Sequence, residues 1–273
     1  MQNIPIRTEE GKLIRTLFTA DEGKKLLAGD LRQAEKRVIA WESNDTRLME
    51  AFLAGEDTHW LDCKMIFQIP ESVSYIPNAL YRSNLTGVEY ALEFYRRITK
   101  SVVYAASYGM GPVMLQIILI REEIYFKLDL CKRLLHQYKT NNPMLLSWQN
   151  KIKEEIRATR TLVTAAPFLR KRVFRGRLSD NLFRSALAFR PQSVVGEILE
   201  VAIEKLHDTS EVFEPLLNVH DEVVGQHLPA DLEAAKRDVK NALETPLEIN
   251  GRELVVPCDF KAGDDWGSLK ELN

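Results

Sequence analysis

Leu216-Leu217-Asn218-Val219-His220-Asp221-Glu222-Val223-Val224-Gly225-Gln226 reads as two short strands around a tight acidic turn. A hairpin of this kind is antiparallel, so the sheet it belongs to has at least one antiparallel pair. Upstream, Lys24-Lys25-Leu26-Leu27-Ala28-Gly29-Asp30-Leu31 reads as another strand, carrying an acid near its C-terminal end. Between and around them the pattern is helical. Ala34, Val38, Ile39, Trp41, Met49, Phe52 and Leu53 recur near helical spacing over residues 33–53. Further helical blocks run from about Val88 to Ile120, Ile124 to Arg160 (broken near Pro143), Leu182 to Leu206 and Ala230 to Leu243, with a late strand at Glu253 to Pro257. Strands that are few and separated by long helices predict an α+β fold with a small antiparallel sheet, not a doubly wound one.

The chain has 273 residues, room for one large domain or two modest ones. Apolar residues make up 45% and charged residues 28%, which argues against disorder. Lys+Arg number 37 against Asp+Glu 39, a net charge of -2, so a uniformly basic nucleic-acid coat is excluded while a local basic cleft is not. Cys63, Cys131 and Cys258 are far apart and form no CxxC pair, which fits a reducing compartment. The longest apolar stretch, Val113 to Ile120, is interrupted by Gln116 and is too short to span a membrane. The N-terminus lacks the apolar region of a signal peptide. The expectation is a soluble, cytoplasmic protein with no membrane partner.

Three features bear on chemistry. Asp30 and Asp221 each follow an apolar strand-like run. Either is readable as an ordinary turn residue; brought together on neighbouring strands, the two would make a hard, oxygen-rich site suited to Mg²⁺. Arg96, Lys100, Tyr104 and Tyr108 stand at i, i+4, i+8 and i+12, a cationic-to-aromatic stripe on one helix face. It matches a nucleoside triphosphate, with phosphates on the cations and the base near the rings, and equally an amphipathic helix with a polar entry. Gly109 and Gly111 then permit a helix break or a close backbone approach. Arg157, Arg160, Arg170, Lys171, Arg172, Arg175 and Arg177 form a stretch with no acid among residues 157–178, either a solvated loop or a phosphate-tracking surface.

These residues carry a family resemblance. Asp30-Leu31-Arg32-Gln33-Ala34-Glu35 resembles motif A of family A DNA polymerases, the segment from Arg96 to Gly109 resembles their motif B, and Val219-His220-Asp221-Glu222 resembles motif C. The motifs occur in the family's order. Gln2-Asn3-Ile4-Pro5-Ile6-Arg7, the GxDxH-like Gly55-Glu56-Asp57-Thr58-His59, the segment from Arg184 to Gln192 and Gly263-Asp264-Asp265-Trp266 are also similar, so the resemblance covers nearly the whole chain and is nearest to bacteriophage-type members. It implies a palm with a small antiparallel sheet and a helical fingers subdomain, with thumb and exonuclease absent. Palm would occupy 1–60 and 171–273, and fingers 61–170.

The resemblance further implies DNA-templated nucleotidyl transfer from a dNTP to a primer 3′-hydroxyl. Asp30, Asp221 and the Leu31 backbone carbonyl would ligate two Mg²⁺ ions, with Glu222 as a supporting acid. Arg96, Lys100 and His59 would hold the triphosphate, Tyr104 the sugar and Tyr108 the region of the templating base. Glu35 would close the 2′ side of the sugar. Arg184, Gln192 and His220 would face primer-template DNA. A tyrosine at 104 implies ready acceptance of dideoxynucleotides.

Two departures stand out. Arg32 replaces the usual small residue of motif A, where it would either pair with Asp30 in competition with a cation or point at DNA phosphate. Ala188 replaces a usual Asn. The expected function is therefore the catalytic region of a split or truncated polymerase, docking on a separately encoded thumb and exonuclease polypeptide, in host cytoplasm if phage-encoded. The alternative is a polymerase-derived DNA-binding or assembly subunit without catalysis.

Overall fold

The computed structural model describes residues 4, 9–73 and 87–272. The QNIPIR-like segment, Ile4 apart, lies outside the described residues. The chain forms two compact units, one of residues 1–38, 164–170 and 191–273, the other of 39–163 and 171–190. Both helices and antiparallel strands are present, so the fold is α+β. Among the described residues no helix is long and apolar enough to cross a membrane.

The first unit is built on a five-stranded sheet. Its strands are β1 (Lys25–Leu31), β4 (Glu214–Val219), β5 (Glu222–His227), β8 (Cys258–Gly263) and β9 (Lys270–Glu271). Their order is β4-β5-β1-β8-β9, and every pair is antiparallel. The predicted hairpin is β4–β5 and the predicted first strand is β1. Leu26 and Ala28, together with Val224, point to one side of the sheet, where they form a core with Val219 and Trp266. The alternate residues face the helix α10 (Leu232–Leu243). Gly29 is why that helix comes so close: a Cβ there would lie 2.7 Å from a methyl of Val239 and 2.8 Å from one of Leu243.

Strand β8 is not the late strand expected from sequence. The run at Glu253 to Pro257 is only partly strand, as β7 (Arg252–Leu254) in a two-stranded ribbon with β6 (Leu247–Ile249). The central sheet instead takes Cys258-Asp259-Phe260-Lys261-Ala262-Gly263, whose apolar and polar residues alternate with a period of two.

The second unit is mainly helical. It contains α3 (Thr46–Leu53), α4 (Thr58–Phe67), α5 (Gly87–Ser107), α6 (Pro112–Arg121), α7 (Leu128–Asn141), α8 (Pro143–Thr159) and the ribbon β2 (Thr161–Val163) with β3 (Lys171–Val173). The helix expected over 88–120 is thus two, separated where Gly109 adopts a left-handed φ of 66° and Pro112 opens α6. Pro143 opens α8 in the same way. A continuous core runs through Ile98, Val102, Leu115, Leu119, Leu135 and Ile152, each at most 4% exposed.

Two helices cross from one unit to the other in sequence, α2 (Ala34–Ser43) at 38/39 and α9 (Asp180–Thr209) at Pro191. These are divisions of packing, distinct from the palm and fingers boundaries expected at 60/61 and 170/171. Ile39 already belongs to the helical core. On the other side, β3 pairs with β2, and Phe174, Leu187 and Phe189 join that same core, which holds residues 171–190 with it.

Candidate active site

In the first unit, strand pairing assembles the acids. Asp30, the penultimate residue of β1, lies directly opposite Glu222 on β5 and Asp259 on β8. Asp221 occupies the two-residue turn between β4 and β5, preceded by His220 in a left-handed conformation (φ 58°). The Leu31 N–H donates to the Asp221 carbonyl (3.0 Å), which fastens the turn to the end of β1. Burial, reinforced by the nearby charges of Asp30 and Glu35, pushes the Asp221 carboxyl up to about 6. Glu222 is also raised, mainly by burial, although it accepts a hydrogen bond from Trp266 Nε1 (3.1 Å) and feels the cations Lys261 and Arg15.

The basic partner considered for Asp30 from sequence was Arg32; in the structure it is Lys261 Nζ that donates to Asp30 Oδ2, at 3.1 Å. Lys261 also stands 3.9 Å from Glu222 Oε2. Arg32 does not pair with Asp30. Its Nε donates to Asp259 Oδ1 at 2.6 Å, an ion pair across β1 and β8 that keeps the guanidinium off Asp30. Asp259 and Lys261 were not singled out from sequence, and Trp266 was read only as part of a family-like segment, not as a partner of Glu222. The alternation in β8 was the signal that would have found the first two.

The acids are oxygen donors, and Asp221 is raised chiefly by burial and then by the nearby Asp30 charge; that chemistry suits a hard divalent cation. Among the described residues no group of three or more His, Cys, Asp or Glu side chains is gathered tightly enough to hold an ion alone. Divalent cations of this kind can be held by one or two carboxylates, with water and substrate phosphate completing the shell.

In the second unit, Arg96, Lys100, Tyr104 and Tyr108 lie on α5 as predicted. Arg96 is locked in place: its Nε and a terminal nitrogen donate to Asp57 Oδ2 at 2.8 and 2.7 Å. Asp57 also caps α4, its Oδ1 accepting from the N–H groups of His59 (3.0 Å) and Trp60 (3.1 Å). One carboxylate thus fixes both Arg96 and the helix start that bears His59. Lys100 is exposed. Tyr104 is 46% exposed and meets the buried Tyr108 edge-to-face, with centroids 5.0 Å apart. Behind Tyr108, the buried Gln149 amide donates to the Ala106 and Ser107 carbonyls (2.7 and 2.9 Å), closing the end of α5. Gln149 was also missed, because nothing local marks a residue more than 40 positions away as a cap.

Arg184 lines a cavity of about 460 Å³ in this unit with Lys153, Arg157, Phe183, Gly109 and Met114. The Arg157 guanidinium stacks over the Phe183 ring at 5.1 Å. Gln192 and His220, both exposed, belong instead to the first unit. Glu35 is half-buried in the first turn of α2.

Residues 1–268 match the model of DNA polymerase family A. The chain belongs to that family. Among curated relatives, family member DNA polymerase I of Thermus aquaticus is 28% identical over 99% of this chain and 30% of its own length. DNA polymerase I of Chloroflexus aurantiacus is 26% identical over 100% of this chain and 27% of its own. The chain thus spans less than a third of these family A polymerases. A solved structure of the POL domain of Pol1 from M. smegmatis, in complex with DNA primer-template and dNTP, superposes with a TM-score of 0.76 at 25% identity, covering 98% of this chain and 44% of that one.

Proposed function

We propose that this chain is the catalytic region of a DNA-templated DNA polymerase, transferring a nucleotide from a dNTP to a primer 3′-hydroxyl. The observation that carries the reading is the gathering of acids at the strand ends: Asp30 lies opposite Glu222, the Asp221 turn is fastened to the end of β1, and Asp221 is raised to about 6 by burial and by Asp30, a place where a cation would be favoured. Asp30, Asp221 and the Leu31 carbonyl would hold two Mg²⁺ ions, with Glu222 beside them. When bound, the ions supply positive charge that lowers the pKa of the primer hydroxyl and offsets charge on the transferring phosphate.

The chain's own side chains do the rest. Lys100, with Arg96 and His59, presents positive charge to the triphosphate. The exposed Tyr104 presents its ring and hydroxyl to the sugar, which is the basis for expecting efficient use of dideoxynucleotides. Tyr108 backs it near the templating base, and Glu35 guards the 2′ position. Arg184, with Arg157, Lys153 and Phe183, offers cations and a ring to single-stranded template. Gln192 and His220 face the primer-template duplex, and the Arg157–Arg177 stretch tracks its phosphates. Palm and fingers, in this reading, correspond to the first and second units. The setting is cytoplasm, that of a host if the source is a phage.

The pairing of Arg32 with Asp259 turns its guanidinium away from Asp30, which supports the catalytic reading over a silent subunit. Primer extension with Mg²⁺ tests the proposal, using the chain alone and with an upstream thumb and exonuclease polypeptide. Template-dependent extension in either case is expected; DNA binding without extension in both would overturn it.

A further inference from the structure

The acid pair has a cation of its own. Strand β8 runs antiparallel to β1 with Lys261 opposite Ala28 and Asp259 opposite Asp30. Directly opposed residues share a face, and so do residues two apart. Lys261 is therefore the diagonal neighbour of Asp30, and its long side chain spans the diagonal to donate to Oδ2 at 3.1 Å. The same ammonium lies 3.9 Å from Glu222 Oε2, so it serves two strands at once. Its side chain is 29% exposed, against 33% for Asp30 and 15% for Glu222, which leaves the three charges only partly screened by water. The cations on and flanking β1 are directed elsewhere: Arg32 to Asp259, Lys25 to Asp264 and Lys24 to Glu214.

We propose that Lys261 is a tethered counter-ion of the acid pair, a positioning residue that fixes the Asp30 carboxylate and sets how tightly the site takes a divalent cation; this rests on the reading of Asp30 and Asp221 as metal ligands. Two consequences oppose each other. Without metal, the ammonium offsets repulsion among Asp30, Asp221 and Glu222 and keeps the ends of β1, β5 and β8 together. With metal, a fixed positive charge beside Asp30 repels the incoming ion and weakens its binding. The site then fills only at higher cation concentration, or when substrate phosphates add negative charge. Lys261 thereby ties occupancy of the site to the presence of nucleotide.

The test is Mn²⁺ binding to the full chain without DNA or nucleotide, read from the electron paramagnetic resonance signal of free Mn²⁺, together with melting temperature in metal-free and Mn²⁺-saturated buffer. Mn²⁺ stands in for Mg²⁺ because both take oxygen ligands. Lys261→Met and Lys261→Gln are expected to bind Mn²⁺ about tenfold more tightly, since a like charge within a few ångströms is removed. Both should melt lower than the parent without metal and recover when Mn²⁺ is added. Lys261→Arg keeps the charge and should stay within about threefold of the parent. Unchanged or weaker Mn²⁺ binding in the Met and Gln variants, or an Arg variant that behaves like them, overturns the proposal. If either the Met or the Gln variant does not fold, the other decides. Asp30→Asn and Asp221→Asn separate the two levels of inference. Parent-like Mn²⁺ binding in these variants means that the metal-ligand reading itself is wrong. If they lose Mn²⁺ while the Lys261 variants do not change, the counter-ion role alone falls.

Discussion

The acidic sheet and the cationic helix handle charge in opposite ways. In the first unit, Asp221 and Glu222 are buried acids whose carboxyls are raised, chiefly by desolvation. In the second, Arg96 and Asp57 close a two-contact ion pair with side chains only 11% and 18% exposed, and Asp57 has two further N–H donors. A desolvated acid cluster marks a place where a cation is favoured; a closed pair marks a place where geometry is to be kept. The same family motifs therefore contain two kinds of residue, those left wanting a partner and those already given one.

The contrast is breakable by mutation. Asp221→Ala should lower primer extension by about a thousandfold or more, because a metal-binding carboxylate is removed. DNA affinity in a filter-binding or fluorescence assay should hardly change, and thermal stability should not fall; a variant that melts well below the parent would show that Asp221 is a structural residue after all. Lys100→Ala comes next, with a loss of about a hundredfold in kcat/KM for dNTP from removing one charge aimed at phosphate. A loss confined to DNA affinity would move Lys100 to the template side.

Asp57→Ala should instead be felt in folding. Losing a helix cap and stranding a mostly buried guanidinium should cost about 2–4 kcal/mol in denaturant unfolding. Asp57→Asn, which keeps an acceptor for the cap, should recover part of that. If Asp57→Ala left stability untouched, the closed pair would not be the anchor described above.

The smallest effect concerns Glu42 in the helical unit. Burial raises its carboxyl above the usual range, although the Trp148 Nε1–H donates to it at 2.8 Å. A carboxyl with a raised folded pKa adds stability that is fully present below the unfolded value, roughly pH 4.3, and is lost as pH rises through the folded value. Glu42→Gln keeps an oxygen for Trp148, so its unfolding free energy should decline less than the parent's between acidic and neutral pH. Equal slopes would show that Glu42 is not desolvated.

Local patterns carried the reading a long way. Strand β1, the β4–β5 hairpin and helices α7 to α10 stand close to where apolar spacing, Pro143 and the turn residues put them. The three motifs put Asp30, Asp221 and the α5 stripe on the expected elements. What escaped was what depends on distant pairing. Arg96 and Asp57 are 39 residues apart, and Lys261 and Asp30 are 231 apart. Neither contact has a local signature. Strand β8 was passed over because Asp, Lys and Gly are poor strand formers; its pairing with β1 outweighs that preference, although its period of two was visible. Arg32 could not be assigned without knowing that Asp259 lies across the sheet.

Gly29 adds one more consequence. Val239 and Leu243 fill the space where its side chain would be, so helix and strand fit together like a key and its ward. Sliding β1 by one residue would swing the Asp30 carboxylate into that apolar fitting and turn Gly29 toward the acids. Such a slip is barred from the back of the sheet. The address of the acid on the front is thus written by a missing methyl behind it, one residue away and out of reach of any substrate.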